Sequence, residues 1–230
     1  MAELESPDRA EELYRYRRDD VVRARPIFQG DVFEHVEIPG LDDGQALAMV
    51  ITHPCAMRGK GGLLRPRLLM GRVSPSAPMK LPWKGNYRLL PLPELIPGIK
   101  DGHWALNFEE IGSVRTELLA STDRLACLED RGVLLLQQRH IHHLTRHVVE
   151  TEVLYEQSAT VLVEAELLEE WLAIALDELA DQEWEASERH ETIAFNDFLA
   201  PMRDQLKNPS QRAAVRRMVL QEIERRFPEK

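Results

Sequence analysis

GQALAMVITHPCAMRGKGGLLRPRLLMGRV, residues 44–73, holds two apolar runs of strand length parted by a basic, glycine-rich turn. The first run, 46–52, is a nearly continuous series of Ala, Leu, Met, Val and Ile, the composition of a central strand covered on both faces. Pro54 has no N–H to give a neighbouring strand, so the ladder stops there and His53 to Cys55 stand at a strand end or bulge. The glycines around Lys60 make a flexible loop, and 68–73 resumes as the next strand. Hydroxyl, imidazole and thiol groups are thus displayed where the first strand ends.

Working outward, Ser6 as N-cap with Pro7 at the first helical position opens a short helix over 8–18. β-Branched and aromatic residues over 31–38, closed by Pro39-Gly40, give a first strand, and Asp42-Asp43-Gly44 gives a turn. Beyond 73, a proline-rich passage over 75–97 carries a strand at 86–90, and two more short strands are expected at 104–108 and 111–115. Short strands with irregular links describe a barrel or small sandwich.

The pattern changes after Asp123. A helix opens at Glu129-Asp130, with Val133, Leu134, Ile141, Leu144 and Val148 on one face, while 148–155 is ambiguous and leans to extended. Over 161–184, Leu168, Trp171, Leu172, Ala175 and Leu179 form a stripe opposite Glu164, Glu166, Glu170, Asp177 and Glu178, an amphipathic helix with an acidic, solvated outer face. Asn208-Pro209-Ser210-Gln211 combines an N-cap, a first-position proline and a capping-box glutamine, opening a last helix to about 227. The expected architecture is α+β, with an N-terminal helix or arm over 1–25, a barrel with a closing helix over 26–150 and an acidic helical region over 151–230.

At 230 residues the chain suits one core, or a domain of about 150 residues with a helical appendage. No apolar run approaches the ~20 residues of a membrane span, and residues 1–8 are acidic without a signal-peptide core, so a cytoplasmic protein without membrane contact is expected. Two distant cysteines, Cys55 and Cys127, give no disulfide framework. Neither nucleotide-binding glycine loops nor GxSxG or HExxH signatures occur, and no cofactor is expected.

The net charge of −10 is unevenly laid out, with 21 acids against 20 cations in residues 1–150 and 18 against 9 in 151–230. Residues 44–93 contain no acid but carry Arg58, Lys60, Arg65, Arg67, Arg72, Lys80, Lys84 and Arg88. Such local cationic density contacts phosphates or acidic partners whatever the overall charge. The first expectation is contact with the chain's own acidic part or with a partner, and an acidic helix folded over it would act as a phosphate mimic.

Gln29-Gly30-Asp31-Val32 opening one strand, Ala48-Met49-Val50-Ile51-Thr52 as a second, and Asn107-Phe108-Glu109-Glu110-Ile111-Gly112-Ser113-Val114 ahead of Leu118, Arg124-Leu125-Ala126 and a helix resemble the layout of the PemK/MazF toxin family. The same residues are similar to a set of uncharacterised bacterial proteins with a GD[IV]F opening and an [ST]H[DP]C segment. The resemblance spans about 27–146. It implies an SH3-like barrel closed by a helix and, in the toxins, metal-independent RNA cleavage by an arginine with a Ser/Thr at the end of the second strand. Thr52 falls at that place, but His53-Pro54-Cys55 replaces the usual asparagine-containing loop and no arginine is matched.

Two functions follow as expectations. The first is a noncatalytic bacterial interaction module, an accessory of a toxin–antitoxin or phage-defence system, joining a protein partner or its own copies, with RNA as another ligand. Arg58, Lys60, Arg65, Arg67 and Arg72 would hold the nucleic acid or acidic partner. The alternative is an endoribonuclease in which Thr52 and His53 are catalytic, with histidine as acid or base and Arg58, Arg65 or Arg67 stabilising the phosphorane. A packed structural role is the first expectation for Cys55, ahead of a His53-activated nucleophile. His140, His143 and His147 fit a boundary layer better than a metal site, as their spacing matches no zinc motif, and no metal is assigned.

Overall fold

The computed structural model describes residues 3–41, 44–83, 85, 87–99, 102–177 and 181–228. Asp42 and Asp43 of the expected turn, Lys84, Asn86, Glu178 and Leu179 lie outside the described residues. The fold is α+β and divides into two compact units. One takes in the chain up to Val22, Ile27–Met57 and Arg65–Gln157; the other takes in Arg23–Pro26, Arg58–Leu64 and the chain from Ser158 on. Among the described residues no helix is long and apolar enough to cross a membrane.

The first unit is built on one antiparallel sheet of seven strands. They are β1 (Tyr14–Arg17), β2 (Val32–Glu37), β3 (Gln45–Val50), β4 (Arg67–Pro75), β5 (Leu89–Pro93), β6 (His103–Arg115) and β7 (Arg124–Leu128), in the order β1-β7-β2-β3-β4-β6-β5. The sheet curls into a half-barrel. Its two edge strands meet at one end, where the Tyr14 hydroxyl donates to the Pro93 carbonyl at 2.9 Å. A short helical turn, α1 (Pro54–Met57), follows β3 as Pro54 requires, and α2 (Asp130–Thr145) follows β7.

The QGD segment anchors the sheet. Gly30 has φ +88°, and a Cβ there would lie 2.8 Å from Leu128, so only glycine allows β2 to approach β7 so closely. Asp31, fully buried, accepts from the Phe28 N–H at 3.0 Å and pairs with Arg124 at 3.5 Å.

Several elements depart from expectation. The helix over 8–18 is instead a 3-10 turn, Ala10–Leu13, followed by β1, whose alternating Tyr-Arg-Tyr-Arg has the period of a strand and pairs with β7. The two strands expected within 104–115 are one 13-residue strand. Its register against β4 jumps from Gly71↔Ile111 to Val73↔Leu106, and Asn107 holds the looped-out residues by bonding the Glu109 N–H at 3.0 Å and the Glu110 carboxylate at 2.8 Å. In α2, eight consecutive residues, Gly132 to Arg139, are buried, whereas Leu144 is 68% exposed. The helix is covered all round over these residues and does not present a single apolar face.

Residues from 151 are helical, not extended. α3 (Thr151–Ala175) starts where the Glu5 carboxylate accepts from the Thr151 N–H at 3.0 Å and its hydroxyl at 2.9 Å, a cap supplied from the other end of the unit.

The second unit comprises the rest of α3, α4 (Asp181–Leu199), a 3-10 stretch (Ala200–Lys207) and α5 (Pro209–Arg226). Trp171 lies at its centre, 5.7 Å from the Phe195 ring and 6.2 Å from that of Phe227, with its indole N–H donated to Glu191 at 2.9 Å. The Asn208 side chain caps α5 through the Ser210 N–H at 3.1 Å, as the sequence motif requires. The acidic face of α3 is not simply solvated. Glu164 pairs with Arg203 at 2.9 Å, Glu170 and Glu166 pair with Arg216, and the buried Glu169 pairs with Arg25 at 3.0 Å.

Candidate anion-binding face

β3 stops at Val50 and the chain turns through Ile51, Thr52 and α1 before β4 begins. The Leu69 carbonyl accepts from the Ile51 N–H at 2.8 Å and the Thr52 N–H at 3.3 Å, and the Thr52 hydroxyl oxygen accepts from the Leu69 N–H at 2.6 Å. Thr52 therefore extends the β3–β4 ladder through its side chain after the regular pairing has ended. His53 is exposed, and its Nδ1 accepts from the Cys55 N–H at 3.3 Å, which closes the first turn of α1. Partial desolvation pulls the His53 imidazole below its ordinary value.

The predicted cations separate. Arg58 and Lys60 belong to the second unit, where the Arg58 guanidinium donates to the Gly62 carbonyl at 2.8 Å. Arg65, Arg67 and Arg72 belong to the first unit with Thr52 and His53. Arg72 is half-buried and pairs with Glu110 of β6 at 3.4 Å, so an acid from a distant strand offsets part of the acid-free segment. Arg65 and Arg67 are exposed. The Arg65 N–H donates to the Met57 carbonyl at 2.8 Å, which brings the start of β4 beside α1.

One cation was not legible in the sequence. Arg115, at the end of β6, stands directly opposite Arg67 and is exposed. Opposed residues on neighbouring strands have Cβ atoms about 5 Å apart on one face, and like charges so placed repel unless an anion lies between them. Glu117 pairs with Arg115. The Thr116 hydroxyl donates to the Arg65 carbonyl at 3.0 Å and its N–H to the Pro66 carbonyl at 3.1 Å, so the ends of β4 and β6 are fastened together. The result is an open sheet end with Arg65, Arg67 and Arg115 beside Thr52 and His53. Cross-strand register supplies the third arginine, and nothing local to Arg115 signals it.

The remaining candidates lie elsewhere. Cys55 is exposed and Cys127 is buried in β7. His140 stacks on Phe108 at 5.3 Å, His143 lies 5.6 Å from the same ring, and His142 lies 4.9 Å from Tyr87. Among the described residues no group of three or more His, Cys, Asp or Glu is placed to hold a metal ion. A cavity of about 520 Å³ opens where β1 and β5 meet, lined by Arg17, Glu94, Ile96, Ile99 and His103 and by none of the predicted residues.

No protein-family model and no curated protein matches the chain.

Proposed function

We propose that this protein is a noncatalytic bacterial interaction module, cytoplasmic, whose sheet end at Arg65, Arg67 and Arg115 binds an anionic partner. The observation that carries this reading is the opposition of Arg67 and Arg115 on one exposed face. Two further features support it. The Thr52 hydroxyl oxygen and His53 Nδ1 each accept a backbone N–H that shapes the strand end. The curled sheet with α2 after its last strand is compatible with an SH3-like barrel and with the PemK/MazF-like layout, from which a place as accessory to a toxin–antitoxin or phage-defence system follows.

Retention of the purified protein on heparin-agarose, falling as salt rises, is the expected behaviour. The double substitution Arg67→Glu with Arg115→Glu should abolish it, and undiminished retention of that variant overturns the reading.

Metal-independent RNA cleavage is the second reading, favoured by the placement of Thr52 and His53 at the same sheet end as Arg67. Growth arrest on expression, lost in Thr52→Ala or His53→Ala and matched by cleavage of labelled RNA without metal, would put it first.

A further inference from the structure

The same sheet end exposes leucines among its arginines. Leu69, two residues beyond Arg67 on β4, is 46% exposed, and Leu118, three beyond Arg115, is 61% exposed. A strand rises about 3.3 Å per residue with side chains alternating, so Leu69 lies about 7 Å from Arg67 on one face. Its cross-strand partner is Ser113, while Arg115 stands on the diagonal, about 7–8 Å away. The Arg67 guanidinium donates to the Ser113 carbonyl at 3.1 Å, so arginine and leucine stand side by side on this face.

We propose that this face binds an acidic peptide segment bearing apolar side chains; the inference rests on the anionic-partner reading above and narrows it. A phosphodiester backbone satisfies the arginines but leaves the leucines uncovered. Sequence-tolerant nucleic-acid binding also relies on aromatic platforms for base stacking, and across β6 the residues in register with Leu69 and Arg67 are Ser113 and Arg115, neither of them aromatic. An acidic amphipathic segment meets both demands, since carboxylates take guanidinium groups in bidentate pairs and apolar side chains cover Leu69 and Leu118. Arginine is among the residues that carry most of the energy in protein interfaces, and apolar contacts beside it keep water out. The Glu117 carboxylate already held by Arg115 shows the acceptor that this guanidinium takes, and an incoming carboxylate competes with it. Glu164, Glu166 and Glu170 of α3 are engaged by arginines of their own unit, which favours a separate molecule as the source.

The test is a titration of the full chain, by fluorescence anisotropy, into three labelled probes. One is a peptide of about four helical turns with leucines at i, i+3 and i+7 and glutamates elsewhere. The others are polyglutamate and oligouridylate of equal length. The leucine–glutamate peptide should bind about ten-fold or more tighter than polyglutamate, the effect of covering one leucine. Leu69→Ser should weaken the leucine–glutamate peptide about ten-fold and leave polyglutamate binding unchanged, Arg67→Glu should weaken both, and Glu117→Gln should tighten both. Tighter binding of oligouridylate, indifferent to Leu69→Ser, overturns the peptide inference while the anionic-partner reading stands. Failure of all three probes to bind overturns both.

Discussion

Gln137 of α2 donates its side-chain amide to the side-chain carbonyl of Gln29 at 2.8 Å, and Gln29 in turn donates to the Ile51 carbonyl at 2.8 Å. Both glutamines are buried, and together they tie the helix after the last strand to the point where β3 ends. A buried amide left without its partner loses its solvation with nothing in return.

Gln137→Leu is therefore expected to cost about 1–3 kcal/mol, and Gln29→Leu as much or more because it also orphans the Ile51 carbonyl. Urea denaturation of the two single variants and the double variant measures this. The double variant should lose less than the sum, by about 0.5–3 kcal/mol, and strict additivity would show that the two amides act independently.

Asp31 and Arg124 make a buried pair beside that network, with the Asp31 carbonyl also accepting the Val50 N–H at 2.9 Å. Asp31→Ala removes the carboxylate that pairs with the buried Arg124 charge, at an expected cost of about 3–5 kcal/mol. Asp31→Ala combined with Arg124→Met should recover much of the loss, because no uncompensated charge remains. Thermal melts of the three proteins check the order. A double variant no better than Asp31→Ala would place the loss in the carboxylate's bond to the Phe28 N–H.

What could be read in the sequence was whatever local pattern determines. β2, β3 and β4 follow from apolar runs bounded by glycine and proline, and α5 from the Asn208-Pro209 cap. Elements fixed by distant partners were not legible. β7 is five buried residues with no alternation to mark it as a strand, and β1 exists by pairing with it. The helical start at Thr151 depends on a carboxylate 146 residues earlier in the chain. The candidate face was half legible: Arg65 and Arg67 stand in the basic segment, whereas Arg115 joins them through β4–β6 register. Composition alone showed α3 as acidic, but Arg203, Arg216 and Arg25 decide what those acids do.

The Glu5 carboxylate gives a pH dependence of defined sign. Partial burial acts to raise its pKa, but the Thr151 N–H, the Arg131 guanidinium at 2.7 Å and the Thr151 hydroxyl outweigh this and hold it below the ordinary carboxylate range. A group with a depressed folded-state value stabilises fully above its unfolded pKa, and its contribution fades as pH falls through the folded value. Glu5→Gln should therefore lower stability at pH 7 by about 1 kcal/mol, the worth of an N-cap, and converge with the unaltered protein in acid. A gap that persists at low pH would assign the effect to packing.

Thr52 is where structural and catalytic accounts separate. Thr52→Val keeps the shape but removes the oxygen that accepts the Leu69 N–H at 2.6 Å, so amide hydrogen exchange at Leu69 should quicken and stability fall by about 1 kcal/mol. Because Arg65, Arg67 and Arg115 are untouched, retention on heparin should be unchanged. A hydroxyl needed for RNA cleavage would add a second effect, the loss of strand scission, to the same quickened exchange at Leu69. Measuring exchange, retention and RNA integrity on the same variant thus shows whether Thr52 only extends the β3–β4 ladder or also does chemistry on a bound phosphodiester.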